Sequence, residues 1–162
     1  MAVLGLLMAG TLGILEQGQR AYAMGATRVE AQQNARVALT RLAAEIRGAG
    51  RGGRGFDAIS VAEPQRLTLH QDLNGDGLLT LSAETVTWRL SDTTLRRAAG
   101  GGAQPVLDGV EHFTLTYFDA AGAVTTSPAA VRSVGITLSA RSQRAGPAAT
   151  FVIATRVHIR NR

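Results

Sequence analysis

The residues whose types and spacing most clearly suggest chemistry are three oxygen-bearing side chains in the segment DLNGDG. Asp72, Asn74 and Asp76 alternate along the chain and a glycine follows, which matches the first half of an EF-hand calcium loop. The twelfth position of such a loop needs a bidentate glutamate, but it is Ala83 here, and Glu84 comes one residue later. Asn-Gly and Asp-Gly between alternating strands also predict a hairpin turn. A structural turn is therefore the first interpretation, calcium is the alternative, and no other cofactor is expected.

The sequence contains no pattern that predicts catalysis. It has no G-x-S-x-G elbow, H-E-x-x-H pair or phosphate-binding loop, and it has no cysteine. His70, His112 and His158 each fall in a predicted strand without a second metal ligand at close spacing. The chain is therefore predicted not to be an enzyme, and each histidine is interpreted as an ordinary residue of a sheet.

The basic residues are all arginines, 17 in number, and the net charge is +5. No acidic residue follows Asp119, whereas six arginines do. A cluster of this kind can contact nucleic acid, anionic lipid or an acidic partner. Arg156 and Arg160 are the candidates for such a polyanion contact, although a solvated strand face is the simpler interpretation.

Residues 1–47 contain no proline and have two different characters. Residues 1–15 are apolar apart from Thr11 and carry no charge, while the part from Gln17 onward is polar and amphipathic. In the first part, Gly5, Ala9 and Gly13 are four residues apart, a spacing that lets helix backbones approach closely in a membrane. In the second part, apolar residues recur at spacings of four, three and four, namely Ala35, Leu39, Leu42 and Ile46. The pattern predicts one helix that begins among lipid or other helices and ends on a folded domain.

Residues 48–162 form the second predicted domain, which begins with the glycine-rich segment GAGRGGRG. Beyond it, apolar residues alternate with polar ones in short runs that turn residues separate, as in RLTLH and ETVTWRL. Such runs predict an antiparallel sheet. The apolar stripe of the helix and the apolar face of the sheet can cover each other. The predicted fold class is therefore α+β, with a long N-terminal helix packed against an antiparallel β-sheet.

The apolar run followed by EQGQRAYAMGATRVEAQQNARVALTRLAAEIRGAG resembles the helix of type IV pilin-like proteins. Residues 22–50 look most like the minor pilins of the PilW type and the J-type pseudopilins of type II secretion. The resemblance implies a structural minor pilin, assembled into a type IV pilus or priming it. Its partners would be other pilin or pseudopilin subunits, contacted through the N-terminal helix. It also implies a single-pass location in the bacterial inner membrane, with the globular domain in the periplasm, and later in the pilus or pseudopilus.

The start that this family usually has, a basic leader followed by Gly-Phe-Thr-Leu-Ile-Glu, does not precede the apolar run. The expectation is that translation begins upstream, that Met1 is internal to the helix, and that prepilin peptidase processes the longer chain. Two alternatives to the pilus subunit remain. The first is the J-type pseudopilin, and the second, from another functional class, is a nucleic-acid-binding module for DNA uptake that uses the C-terminal arginines.

Overall fold

A computed structural model describes residues 2–52, 55–141 and 150–161 of the chain. Within the N-terminal helix, α1 (Ala2–Gly48), it describes the surroundings of side chains from Gly13 onward, except at positions 20, 23, 24 and 26–28. The apolar side of the last turns is buried, through Ala35, Ala38, Leu39, Leu42, Ala43 and Ile46. These residues recur every three or four positions, as expected for a helix that covers a domain with one side only.

The helix ends where glycines let the chain reverse. Gly50 has a φ of 77°, and its amide donates to the carbonyl oxygen of His70 at 2.8 Å. A Cβ at this position would lie 3.0 Å from the Cβ of Ala58. Both the backbone conformation and the crowding therefore require glycine here.

Eight antiparallel strands follow in the described residues. The first five form one sheet in the order β1-β2-β3-β4-β5: β1 (Ile59–Glu63), β2 (Arg66–His70), β3 (Thr85–Ser91), β4 (Thr94–Ala98) and β5 (Ala103–Leu107). The last three form a second sheet in the order β6-β7-β8: β6 (Val110–Phe118), β7 (Ser133–Arg141) and β8 (Thr150–His158). Two short 3-10 helices, Ser82–Glu84 and Pro128–Ala130, lie in the connections.

The predicted fold class, α+β with a long N-terminal helix packed against an antiparallel sheet, is wrong. The described fold is mostly β, with eight strands divided between two sheets and two short helices in the connections. The division occurs after β5, where the chain turns at Gly109 (φ 73°) and β6 pairs with β7 instead of β5. Moreover, the side chains described between Gly13 and Glu30 are exposed, so that this part of α1 does not lie on a sheet.

Hydrogen bonds join β6 of the second sheet to the end of β1 and the turn that follows it in the first sheet. The amide of Leu115 donates to the carbonyl oxygen of Pro64 at 2.7 Å. The hydroxyl of Tyr117 donates to the backbone carbonyl oxygen of Glu63, also at 2.7 Å. Burial, together with the nearby charge of Glu63, raises the pKa of the Tyr117 hydroxyl, which therefore remains a donor. The apolar faces of both sheets and the end of α1 then share one core, which includes Leu42, Trp88, Phe113 and Leu138.

The five-stranded sheet has two edge strands, β5 (Ala103–Leu107) on one side and β1 (Ile59–Glu63) on the other. Pro105 is tolerated in β5 because an edge strand has one side without ladder hydrogen bonds.

Candidate functional site

The part of α1 that precedes its buried end is exposed. Every side chain described between Gly13 and Glu30 is exposed, including large apolar ones. The exposed fraction is 74% for Ile14, 62% for Leu15, 81% for Tyr22 and 62% for Val29. Single exposed apolar residues are ordinary, but several along one helix mark an interaction surface.

Large and small residues alternate along one side of this segment. Leu15, Gly18, Tyr22, Gly25 and Val29 follow one another at spacings of three, four, three and four, and all are exposed. This is the spacing of residues that face a partner in a helix pair. We call these five residues the helix stripe.

The two glycines of the helix stripe have no structural reason within the described chain. A Cβ added at Gly18 or Gly25 meets nothing within 4 Å, and glycine inside a helix costs about 1 kcal/mol relative to alanine. Glycine is favoured in such a place when the backbone of another helix approaches closely. The helix stripe therefore has the composition of a surface for helix packing.

The sequence predicts a different surface for helix packing, formed by Gly5, Ala9 and Gly13. The surroundings of Gly5 and Ala9 lie outside the described residues, and a Cβ at Gly13 also meets open space. Gly13 precedes Tyr22 by nine residues, or two and a half turns, and so lies on the opposite side of α1 from it. The helix stripe could have been found in the sequence from the three-four spacing of Leu15, Tyr22 and Val29 with the intervening glycines.

Among the described residues, no helix is both long enough and apolar enough to cross a membrane.

A mostly buried carboxylate attaches α1 to the five-stranded sheet. Glu45 accepts a hydrogen bond from Trp88 Nε1 at 2.5 Å through one oxygen and from Arg97 Nε at 2.7 Å through the other. At the end of the helix, the Asn161 side-chain amide lies 3.3 Å from the carbonyl oxygens of Arg47, Gly48 and Ala49. The contacts of Asn161 satisfy helix carbonyls that have no partner within the helix. Together with those of Glu45, they hold the last turns of α1 against the sheets.

Loop 72–84 connects β2 to β3 and contains the predicted calcium ligands. The carboxylate of Asp72, which is 3% exposed, accepts hydrogen bonds from the amides of Gly75 at 2.6 Å and Gly77 at 2.9 Å. Asp76 accepts one from the amide of Leu78 at 2.8 Å and one from the Thr80 hydroxyl at 2.7 Å.

Glu84 closes the same loop from inside. Its carboxylate is fully buried and accepts hydrogen bonds from the amides of Leu81 at 2.8 Å and Leu73 at 2.9 Å. These backbone donors hold the pKa of Glu84 below its ordinary value. The pKa of Asp76 is lowered in the same way, first by the Thr80 hydroxyl and then by the amide of Leu78.

Backbone and side-chain donors thus supply the charge compensation that a bound cation would otherwise give. Asn74 takes part as well, because its side chain donates to Asp76 Oδ2 at 2.8 Å and accepts from the Asp76 amide at 3.1 Å. In the described part of the chain, no group of three or more acidic or histidine side chains is placed to hold a metal ion. The structural interpretation of the loop explains its contacts, and calcium binding by Asp72, Asn74 and Asp76 stays a prediction.

The predicted polyanion contacts, Arg156 and Arg160, are in different situations. The Arg156 guanidinium lies 3.9 Å from the centre of the Phe118 ring, and its Nε donates to Ser133 Oγ at 2.9 Å. Arg160 is exposed, and its amide donates to the carbonyl oxygen of Arg47 at 3.4 Å. Arg156 is therefore engaged on its own sheet, and a polyanion contact through this pair stays a prediction.

The histidines show no constellation for catalysis in the described residues. His70 is hydrogen bonded to Thr85 Oγ1 at 3.0 Å and to Ser60 Oγ at 2.8 Å, while His112 and His158 are exposed. Burial lowers the pKa of His70, although the nearby charge of Asp57 acts in the opposite direction. These positions agree with ordinary sheet residues.

A scan against protein-family models finds no match for this chain, and a search of curated proteins finds no significantly similar sequence.

Proposed function

We propose that this chain is a structural subunit of a pilin-like filament, and that its exposed helix segment packs among the helices of other subunits. The observation that carries the proposal is the helix stripe. Its two glycines destabilise an isolated helix and fill no crowded place in the described chain. Contact with other helices would explain both glycines, because small residues allow helix backbones to approach closely. Leu15, Tyr22 and Val29, which lie beside the glycines, would then bury apolar area against the neighbouring helices.

The rest of the molecule fits this arrangement. The contacts of Glu45 and Asn161 hold the last turns of α1 against the sheets, and the exposed segment extends away from them. From Gly13 to Val29 the segment is about 24 Å long, at 1.5 Å per residue. One such segment can therefore contact several neighbouring helices in a bundle.

The proposal includes a single-pass location in the inner membrane before assembly, with both sheets on the periplasmic side. This part depends on the resemblance of residues 22–50 to pilin helices. Within the same class, the subunit belongs either to a type IV pilus, where it forms part of the filament or primes it, or to the pseudopilus of type II secretion.

The experiment is an assay of filament incorporation in the native host. Filaments are sheared from cells, and the chain is detected by immunoblot in cells that express the wild type, the double variant Gly18→Leu/Gly25→Leu, or the control Gln17→Leu/Asn34→Leu. Gln17 and Asn34 are exposed and lie off the helix stripe, so that the control adds two leucines of the same size elsewhere on the same helix.

We expect the wild type and the control in the filament fraction, and we expect loss of the Gly18/Gly25 variant at an unchanged total level. Equal recovery of both double variants in the filament fraction would contradict the proposal that the helix stripe packs against other subunits. Absence of the wild type from sheared filaments, together with a secretion defect on deletion, would favour the pseudopilus over the pilus.

A further inference from the structure

Three arginines lie side by side on the outer face of the five-stranded sheet. Arg66 on β2 is directly opposite Arg89 on β3, and Arg89 is directly opposite Arg96 on β4. Residues directly opposite each other in antiparallel strands point to the same face. Adjacent strands are about 4.8 Å apart, so the three side chains form a row about 10 Å long. We call it the arginine row.

The arginine row makes no salt bridge among the described residues, although Glu63 lies directly opposite Arg66 on the edge strand. Other arginines have carboxylate partners, such as Arg97 with Glu45 at 2.7 Å and Arg141 with Glu111 at 2.8 Å. Among the described residues Arg66, Arg89 and Arg96 form no ion pair, and Arg96 only donates to the carbonyl oxygen of Ala103 at 3.4 Å. Like charges directly opposite each other destabilise a sheet. The row therefore carries a cost that an external anion would remove.

The surface beside the arginine row is polar and uncharged. The next position along β2 and β3 is the pair Thr68 and Thr87, whose hydroxyls are hydrogen bonded to each other at 3.0 Å. Beyond it, His70 and Thr85 are hydrogen bonded at 3.0 Å. Glu63 is the acidic residue nearest in register, opposite Arg66 on the edge strand. Thr68 is buried and Thr87 is half-buried, so an anion on the middle of this face meets mainly the guanidinium groups.

We propose that the arginine row binds the phosphate backbone of nucleic acid without sequence preference. Regularly spaced guanidinium groups suit a polymer with regularly spaced charges. One strand of a duplex places a phosphate about every 3.4 Å along the axis, so a row of about 10 Å that lies along the axis extends over about three phosphates. The guanidinium group of arginine contacts a phosphate through two N–H groups at once, which the ammonium group of lysine does not do. The row contains no aromatic side chain for stacking on bases, so its contacts are to the backbone.

This surface is separate from the helix stripe. It lies on β2, β3 and β4, whereas the helix stripe lies on the exposed segment of α1. A subunit held through its helix would therefore present the arginine row on its sheet. The inference does not depend on the proposed filament, because it concerns a binding surface that the sheet forms alone.

The test measures the binding of the full chain, kept in non-ionic detergent, to a fluorescein-labelled random-sequence duplex by fluorescence anisotropy over a series of salt concentrations. The variant is Arg66→Gln/Arg89→Gln. The matched control is Arg36→Gln/Arg51→Gln, which removes the same charge at two exposed arginines outside the row. Each phosphate contact contributes about 0.9 to the slope of log affinity against log salt.

We expect the row variant to lose affinity about tenfold or more at low salt and to lower the magnitude of the slope by about 2. The control should keep the slope of the wild type. Equal losses in both variants would show an effect of net charge alone and would overturn the proposal, as would no loss in either. Displacement of the duplex by polyglutamate as effectively as by unlabelled duplex would also overturn it, in favour of an acidic protein partner.

Discussion

Trp88, on the middle strand of the five-stranded sheet, donates its indole N–H to Glu45 of α1 across 2.5 Å. The second oxygen of the same carboxylate accepts from Arg97. A mostly buried carboxylate with two donors joins elements that are far apart in sequence, so that the direction of the helix is set by the sheet. The last turns of α1 are therefore attached to the five-stranded sheet.

The first prediction concerns this junction. Glu45→Gln keeps the shape of the side chain but removes its charge, and we expect the free energy of unfolding to fall by about 2 kcal/mol, because hydrogen bonds to charged groups are strong. Urea unfolding followed by circular dichroism measures the change. Glu111→Gln is the matched control, because Glu111 also pairs with an arginine, at 2.8 Å, but it is more exposed than Glu45 and its partner Arg141 is exposed. We expect it to cost less than about 1 kcal/mol, and equal losses would contradict the role of Glu45.

The second prediction is that Arg89→Thr stabilises the protein. Arg89 lies between two other arginines, and threonine suits a strand, so we expect a gain of about 0.5 kcal/mol in the free energy of unfolding. Arg156→Thr should have the opposite sign, with a loss of about 1 kcal/mol, because that guanidinium stacks on Phe118 at 3.9 Å. Urea unfolding of both variants tests this. Destabilisation by Arg89→Thr would mean that the row is compensated within the fold.

The third prediction is a dependence on pH from loop 72–84. Backbone amides lower the folded-state pKa of Glu84 below its ordinary value of 4.5. The ionised carboxylate therefore contributes stability at pH values above that value, and this contribution is lost as the pH falls through the lowered folded-state pKa. Glu84→Gln should destabilise the protein at neutral pH, and the difference from the wild type should shrink in acid. A difference that stays constant from neutral pH to below about pH 4 would contradict this account.

The fourth prediction separates the two interpretations of the DLNGDG segment. The donors around Asp72, Asp76 and Glu84 already satisfy the carboxylates, so we expect no heat in a calorimetric titration of the full chain with calcium and no change in Tm. Micromolar binding, in the range of calcium sensors, that is abolished by Asp76→Ala would establish a calcium site instead.

The sequence patterns predicted several elements well because periodicity reports which side of an element is buried. Alternation within RLTLH and ETVTWRL marks β2 and β3, and the spacing of Ala35, Leu39, Leu42 and Ile46 marks the buried side of α1. Alternation does not report which strands pair, however. The division into two sheets after β5 depends on the turn at Gly109 and on pairing between distant residues.

The two proposed surfaces, the helix stripe and the arginine row, also differ in how far the sequence alone predicts them. The helix stripe is visible in the sequence once the spacing of Leu15, Tyr22 and Val29 is considered with that of the glycines. The arginine row is not, because Arg66 is far from Arg89 and Arg96 along the chain, and the three meet only through the register of three strands. The excess of arginines after Asp119 instead predicts a polyanion contact at Arg156, whose guanidinium stacks on Phe118.

The central claim is that the helix stripe faces the helices of other subunits, and crosslinking in the native host tests it most directly. A photoreactive benzoylphenylalanine is placed at Tyr22, on the stripe, or at Asn34, which is exposed and lies about 120° around α1 from Tyr22. After irradiation, the crosslinked partners are identified by mass spectrometry. We predict that Tyr22 captures a protein with a pilin-type helix, through that helix, and that Asn34 captures it far less. Equal capture from both positions, or a Tyr22 partner without such a helix, would contradict the account.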